Sequence, residues 1–214
     1  MQINLVFGIL VLAFSAILHE VAHGYMANYL GDPTARLAGR LTLNPLRHLD
    51  FVGSLLLPAI LVLTGSPILI GYAKPVPYNP YNLRGRFGEA FVAGAGPATN
   101  ILLAVAFGLL VRAMAPGGAT GAESTPLVDA FAVITYVNML LALFNLIPIP
   151  PLDGSKVLSA ILPGDMGRVY DSFRASFERL GVLQGTLLIL LIFYFLSPFF
   201  SVIFNSLFSL LTGL

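Results

Sequence analysis

From Ile3 to Leu30 the chain is almost continuously apolar, and the second half of that run carries His19, Glu20 and His23. At about 1.5 Å per residue, a helix of this length exceeds the roughly 30 Å hydrocarbon core of a bilayer. The run therefore predicts a membrane-spanning helix whose C-terminal end emerges at the interface, where Gly31-Asp32-Pro33 stops it. Ionisable side chains within such a span are costly and mark functional sites. His19-Glu20-Val21-Ala22-His23 reads H-E-x-x-H. On a helix the two His share one face, four residues apart, and can hold one Zn²⁺. A Glu beside the first His is placed to act as general base on a water at that metal. His19 stands about 24 Å along the axis from Ile3, so the metal is expected inside the membrane, towards the C-terminal end of the helix.

The rest of the chain agrees with a membrane setting. Of 214 residues, 57% are hydrophobic and 10% charged, which no soluble domain approaches. The expected fold is an all-α polytopic membrane protein. A net charge of +1 gives no reason to expect nucleic-acid binding. With no Cys, a metal must rely on His and carboxylate ligands. Met1-Gln2-Ile3-Asn4 lacks a basic stretch, so no cleaved signal peptide is expected.

Further spans are predicted from Phe87 to about Met114, from Pro126 to Ile147 and from Gly181 to Leu196, where Ser197-Pro198 breaks or kinks the helix. The second of these four spans carries Gly94-Ala95-Gly96-Pro97-Ala98-Thr99-Asn100, small residues for close helix approach with an Asn that needs a partner. The third ends in Asn145-Leu146-Ile147-Pro148-Ile149-Pro150-Pro151-Leu152-Asp153-Gly154. Its prolines forbid a helix, and irregular backbone at membrane depth must be buried in protein or line a cavity. Asp153 is the candidate third metal ligand; the other reading is an N-cap for a helix beginning near Ser155. His48, beside Arg47 and Asp50, reads as an interfacial residue. Residues 168–180 are amphipathic, as in a helix lying on a membrane surface. From Ser197 onward, Ser197, Ser201, Asn205, Ser209 and Thr212 form a polar stripe at helical spacing.

Residues 51–72 are apolar but divided by Pro58 and Gly65-Ser66-Pro67. If they dip into the membrane and return, the first span runs parallel to Pro126–Ile147, and Asp153 can meet His19 and His23. Of the 11 Lys and Arg, ten then fall on one side and Arg112 alone on the other; a full crossing would split them seven to four. The positive-inside rule favours the sharper split. The metal is thus expected towards the cytoplasmic face, with the N-terminus outside.

These motifs carry a resemblance. His19-Glu20-x-x-His23, Gly96-Pro97-x-x-Asn100 and Asn145-x-x-Pro148-x-Pro150-x-x-Asp153-Gly154, in that order, resemble the site-2 protease family of membrane-embedded zinc metalloproteases. The resemblance covers a core from about residue 5 to 160. It implies that His19, His23 and Asp153 bind zinc, that Glu20 activates water, and that Asn145 helps stabilise the oxyanion. It also implies that Gly71-Tyr72-Ala73-Lys74-Pro75 belongs to a membrane re-entrant β-loop that pairs with substrate. Phe51 departs from the Pro usual there in short bacterial members.

The expectation is one membrane-embedded metalloprotease domain over residues 1–214, with C-terminal helices at 168–214 and no room for appended sensor domains. It would cleave transmembrane segments of membrane proteins in regulated intramembrane proteolysis, in a bacterial cell membrane. The expected partners are the lipid bilayer and a transmembrane protein substrate, such as a membrane-bound regulator already cut by another protease. A metal transporter or a non-hydrolytic zinc-binding membrane protein is the alternative, but neither needs Glu20 beside His19, and transporters commonly show repeated halves that are absent here. Tyr29, where a third His would fall, excludes a metzincin.

Overall fold

The computed structural model describes residues 5–48, 74–115, 125–180 and 182–214. Within them are seven α-helices: α1 (Leu5–Tyr29), α2 (Thr34–Leu37), α3 (Gly88–Met114), α4 (Pro126–Asn145), α5 (Asp153–Ile161), α6 (Gly164–Glu178) and α7 (Val182–Thr212). No strand occurs among the described residues. Segments of four helices are long and apolar enough to cross a membrane: Val6–Tyr29, Gly88–Met114, Pro126–Asn145 and Tyr194–Thr212. The re-entrant reading of residues 51–72, and with it the topology drawn from them, lies outside the described residues.

Polarity in this bundle is arranged for lipid. Large apolar side chains such as Val6, Ile9, Leu10 and Phe14 of α1 and Leu102 and Leu109 of α3 point outward, while Ser15, His19, His23, Asn100, Thr135 and Asn138 are buried. In a hydrocarbon solvent, outward apolar groups cost nothing and inward polar groups can satisfy one another. α3 is the central helix and packs on α1, α4, α5 and α7. Its small residues between Gly94 and Ala98 allow that crowding. One core cluster joins Val111 and Ala115 to Val128 and Ala132; a second joins Ala104, Met139 and Phe204.

The C-terminal region departs from expectation. α7 runs without interruption through Pro198. Proline removes the N–H that would bond the Tyr194 carbonyl one turn earlier. The Ser197 hydroxyl donates to that carbonyl instead, at 2.8 Å, so the helix continues. The polar stripe does not face the bundle as a whole. Ser201, Asn205 and Ser209 are exposed, Thr212 is buried, and the packing face is made by Phe200, Phe204, Phe208 and Leu211. On α6, Val169 and Phe173 are exposed and Phe177 is buried.

The turn after α1 is built on Asp32, which is fully buried. Its carboxylate accepts from the Thr34 hydroxyl at 2.6 Å, the Asn79 N–H at 2.7 Å and the Asn82 amide at 2.9 Å. Burial pushes the Asp32 carboxyl up, but the bonds from Thr34, Asn82 and Asn79 outweigh it and hold the group below its ordinary range. The Arg84 N–H also donates to the Leu30 carbonyl at 2.8 Å. Residues 74–84 are thereby tied to the C-terminal end of α1.

Candidate metal centre

α1 presents His19 and His23 on one face, with ring centroids 4.6 Å apart and planes nearly perpendicular. Asp153 arrives from the first turn of α5. Its Oδ2 lies 3.1 Å from His19 Nε2 and 3.2 Å from His23 Nε2. The N-cap of α5 is Leu152, so Asp153 is not the cap that the alternative reading required. Gly154 lets this turn sit tightly: a Cβ there would collide with the Leu146 carbonyl.

The second nitrogen of each imidazole is committed. His19 Nδ1 donates to Asn100 Oδ1 at 2.5 Å, and His23 Nδ1 donates to the Val92 carbonyl at 2.7 Å. The orientation of the Asn100 amide is fixed in turn, because its Nδ2 donates to Asn138 Oδ1 at 2.8 Å. Asn138 then donates to the Ser15 hydroxyl at 2.9 Å. With protons held on both Nδ1 atoms, both Nε2 atoms turn bare lone pairs towards a carboxylate oxygen. Three acceptors without a proton between them repel one another; a cation at their centre removes the conflict. The donor set of two imidazoles and one carboxylate suits zinc, and three protein ligands leave a position open for water or substrate. The three candidate ligand atoms lie within 4.8 Å of one another. Gly96 of α3 keeps the space clear, since a Cβ on it would lie 2.5 Å from His23 Nε2 and 2.6 Å from His19 Nε2.

The other sequence candidates fall as follows. Glu20 is outside this three-residue group; its Oε2 accepts from the Val76 N–H at 2.8 Å. The Asn145 amide turns back on its own helix, donating to the Leu141 carbonyl at 3.0 Å. His48 is buried in the loop after α2, with Nε2 donating to the Thr42 carbonyl at 2.7 Å, and is not part of the metal group. Ser15, Val92 and Asn138 were not singled out as site residues. A polar residue at helical spacing on an apolar span, as Ser15 is to His19, was the available signal for one of them.

The model of peptidase family M50 matches residues 110–192, a stretch that contains Asp153. The chain is 40% identical over 158 residues to the protein named "Putative zinc metalloprotease YwhC" of Bacillus subtilis (strain 168), covering 72% of this chain and 68% of that one. The chain belongs to peptidase family M50. Other relatives are the proteins named "Putative zinc metalloprotease Rip2" of Mycolicibacterium smegmatis, 33% identical, and Mycobacterium tuberculosis, 30% identical. Each match covers 67% of this chain and 52% of the relative, so the chain spans about half the length of those two. No solved structure matches. The M50 assignment bears out the resemblance to site-2 proteases and makes the chain a membrane zinc metalloprotease, with His19, His23 and Asp153 as a group able to hold the metal.

Proposed function

We propose that this M50 peptidase is an intramembrane endopeptidase that cuts transmembrane segments of membrane proteins within the bilayer, as a step of regulated intramembrane proteolysis. The observation that carries this reading is the convergence of His19, His23 and Asp153 inside a bundle with a lipid-facing surface, with Glu20 on the same helix as both His. A peptide bond in a membrane helix is shielded by its own hydrogen bonds, so the substrate must be unwound before attack.

His19, His23 and Asp153 would hold zinc, which when bound polarises the scissile carbonyl and lowers the pKa of water towards about 7. Glu20 removes a proton from the attacking water and delivers it to the amide nitrogen as the C–N bond breaks. Asn100 and the Val92 carbonyl keep both imidazoles in the ligating tautomer throughout. Asn145 is the candidate oxyanion donor, for which its amide must rotate away from Leu141. The polar loop edge near Gly71–Pro77 is the candidate on which an unwound substrate adds as a strand. The expected substrate is a membrane-bound regulator already shortened by another protease.

The catalytic end is assigned to the cytoplasmic side of a cell membrane, with the N-terminus outside, on the distribution of Lys and Arg. A single Cys at Arg84 should then react with an impermeant thiol reagent only after the cytoplasmic face is opened; labelling from outside intact cells would reverse the orientation.

The function is tested with purified protein in detergent and a model transmembrane substrate. Chelation should stop cleavage, and added zinc should restore it. Cleavage that persists after metal has been stripped to background would overturn the metalloprotease mechanism.

A further inference from the structure

Residues 74–79, Lys-Pro-Val-Pro-Tyr-Asn, belong to no helix or strand. Pro75, Pro77 and Pro80 take away the donors with which such a segment could pair continuously. One backbone bond, from the Lys74 N–H to the His48 carbonyl at 2.9 Å, and charged side chains from elsewhere hold it. At its start, Arg40 Nη2 donates to the Lys74 carbonyl at 2.7 Å and the Pro75 carbonyl at 3.3 Å, and Arg40 Nη1 donates to the Arg47 carbonyl. At its end, Asp32 accepts from the Asn79 N–H at 2.7 Å. Between them, the Val76 N–H donates to Glu20 Oε2 at 2.8 Å.

The register matters because of the prolines. Val76 stands between Pro75 and Pro77, and neither neighbour has an N–H. A slip of one residue in either direction would leave Glu20 facing a residue that cannot donate. Arg40 is the nearer of the two charged anchors and bonds the two residues immediately before Val76. It is also largely buried, at 9% exposure, and its two Nη atoms donate to backbone carbonyls. With its Nε already buried and unpaired among the described residues, this guanidinium cannot cheaply lose its two Nη bonds as well, so it resists displacement of the segment.

We propose that Arg40 is a positioning residue for the reaction: by gripping the carbonyls of Lys74 and Pro75, it sets the register that places the Val76 N–H on Glu20 and fixes the carboxylate of the base. The inference rests on the reading of Glu20 as general base. Asp32 secures the other end of the same segment. Arg40 touches neither the metal group nor, on this reading, the reacting atoms.

The test compares Arg40→Gln and Arg40→Lys with the wild type and Glu20→Gln in the purified assay, alongside zinc content. Arg40→Gln should lower kcat by about 10²-fold, the scale of a misplaced catalytic group, with KM and bound zinc little changed. Arg40→Lys should recover part of the loss, because an ammonium can still donate to the same carbonyls. A second readout needs no activity. Tyr78 lies against Lys156 of α5, with Nζ 5.2 Å from the ring centroid. In this Cys-free chain, Tyr78→Cys with Lys156→Cys should be joined by a short thiol cross-linker, and Arg40→Gln should lower the yield. Cleavage by Glu20→Gln would show that the reading of Glu20 has failed. If Glu20→Gln is inactive while Arg40→Gln keeps wild-type kcat and cross-linking, the positioning role is overturned. It is overturned equally if activity in Arg40→Gln falls only in proportion to lost zinc and Arg40→Lys does no better.

Discussion

Glu20→Gln is expected to lower turnover by about 10²- to 10⁴-fold while zinc content stays at the wild-type level. The substitution keeps the size and shape of the side chain but removes its capacity to take a proton at neutral pH. Its carbonyl oxygen can still accept from the Val76 N–H, so the segment at 74–79 should remain in place. Because Glu20 stands outside the group formed by His19, His23 and Asp153, the metal should be undisturbed. Cleavage assays and metal analysis on the same preparation check both halves. Appreciable cleavage by the Gln variant would sink the general-base assignment; loss of zinc from it would make Glu20 a ligand.

Asp153→Ala should strip the protein of most of its zinc, as should His19→Ala and His23→Ala. Asp153 is the anionic member of the group, and both imidazoles point their free nitrogens at its Oδ2. Without it, two neutral rings face each other with no negative charge to offset that of the ion. Asn100→Ala is expected to be milder, weakening zinc affinity by about 10- to 100-fold, because it frees the His19 ring without removing a ligand. His48→Ala should leave zinc content unchanged, since His48 bonds the Thr42 carbonyl. Metal analysis of the five purified variants separates these cases. Full occupancy in Asp153→Ala would reduce Asp153 to a structural role.

The sequence made legible what depends on neighbours along the chain. Hydropathy over a window of about 20 residues marked the spans that became α1, α3 and α4, within two residues at each end. Helical spacing put His19 and His23 on one face, and the proline-rich stretch after Asn145 marked an irregular turn ahead of Asp153. The same local reasoning expected Pro198 to break or kink the helix; α7 does not break there, because a neighbouring hydroxyl repairs the lost bond. That repair is also local, but it depends on a rotamer, which sequence pattern does not specify.

The tertiary structure decided what depends on contact between distant segments. Asn100 reaches His19 across 81 residues, and Asp153 reaches it across 134. The sequence showed that the buried Asn of α3 needed a partner; it could not say that the partner was an imidazole rather than another helix. Nor did it reveal Asn138 and Ser15 behind Asn100, or the grip of Arg40 and Asp32 on the segment that meets Glu20. The physical reason is one of range. Apolar periodicity and backbone propensity act over a few residues and are written along the chain. A hydrogen bond between side chains forms only when packing brings donor and acceptor within about 3 Å, and that separation is set by the whole bundle at once.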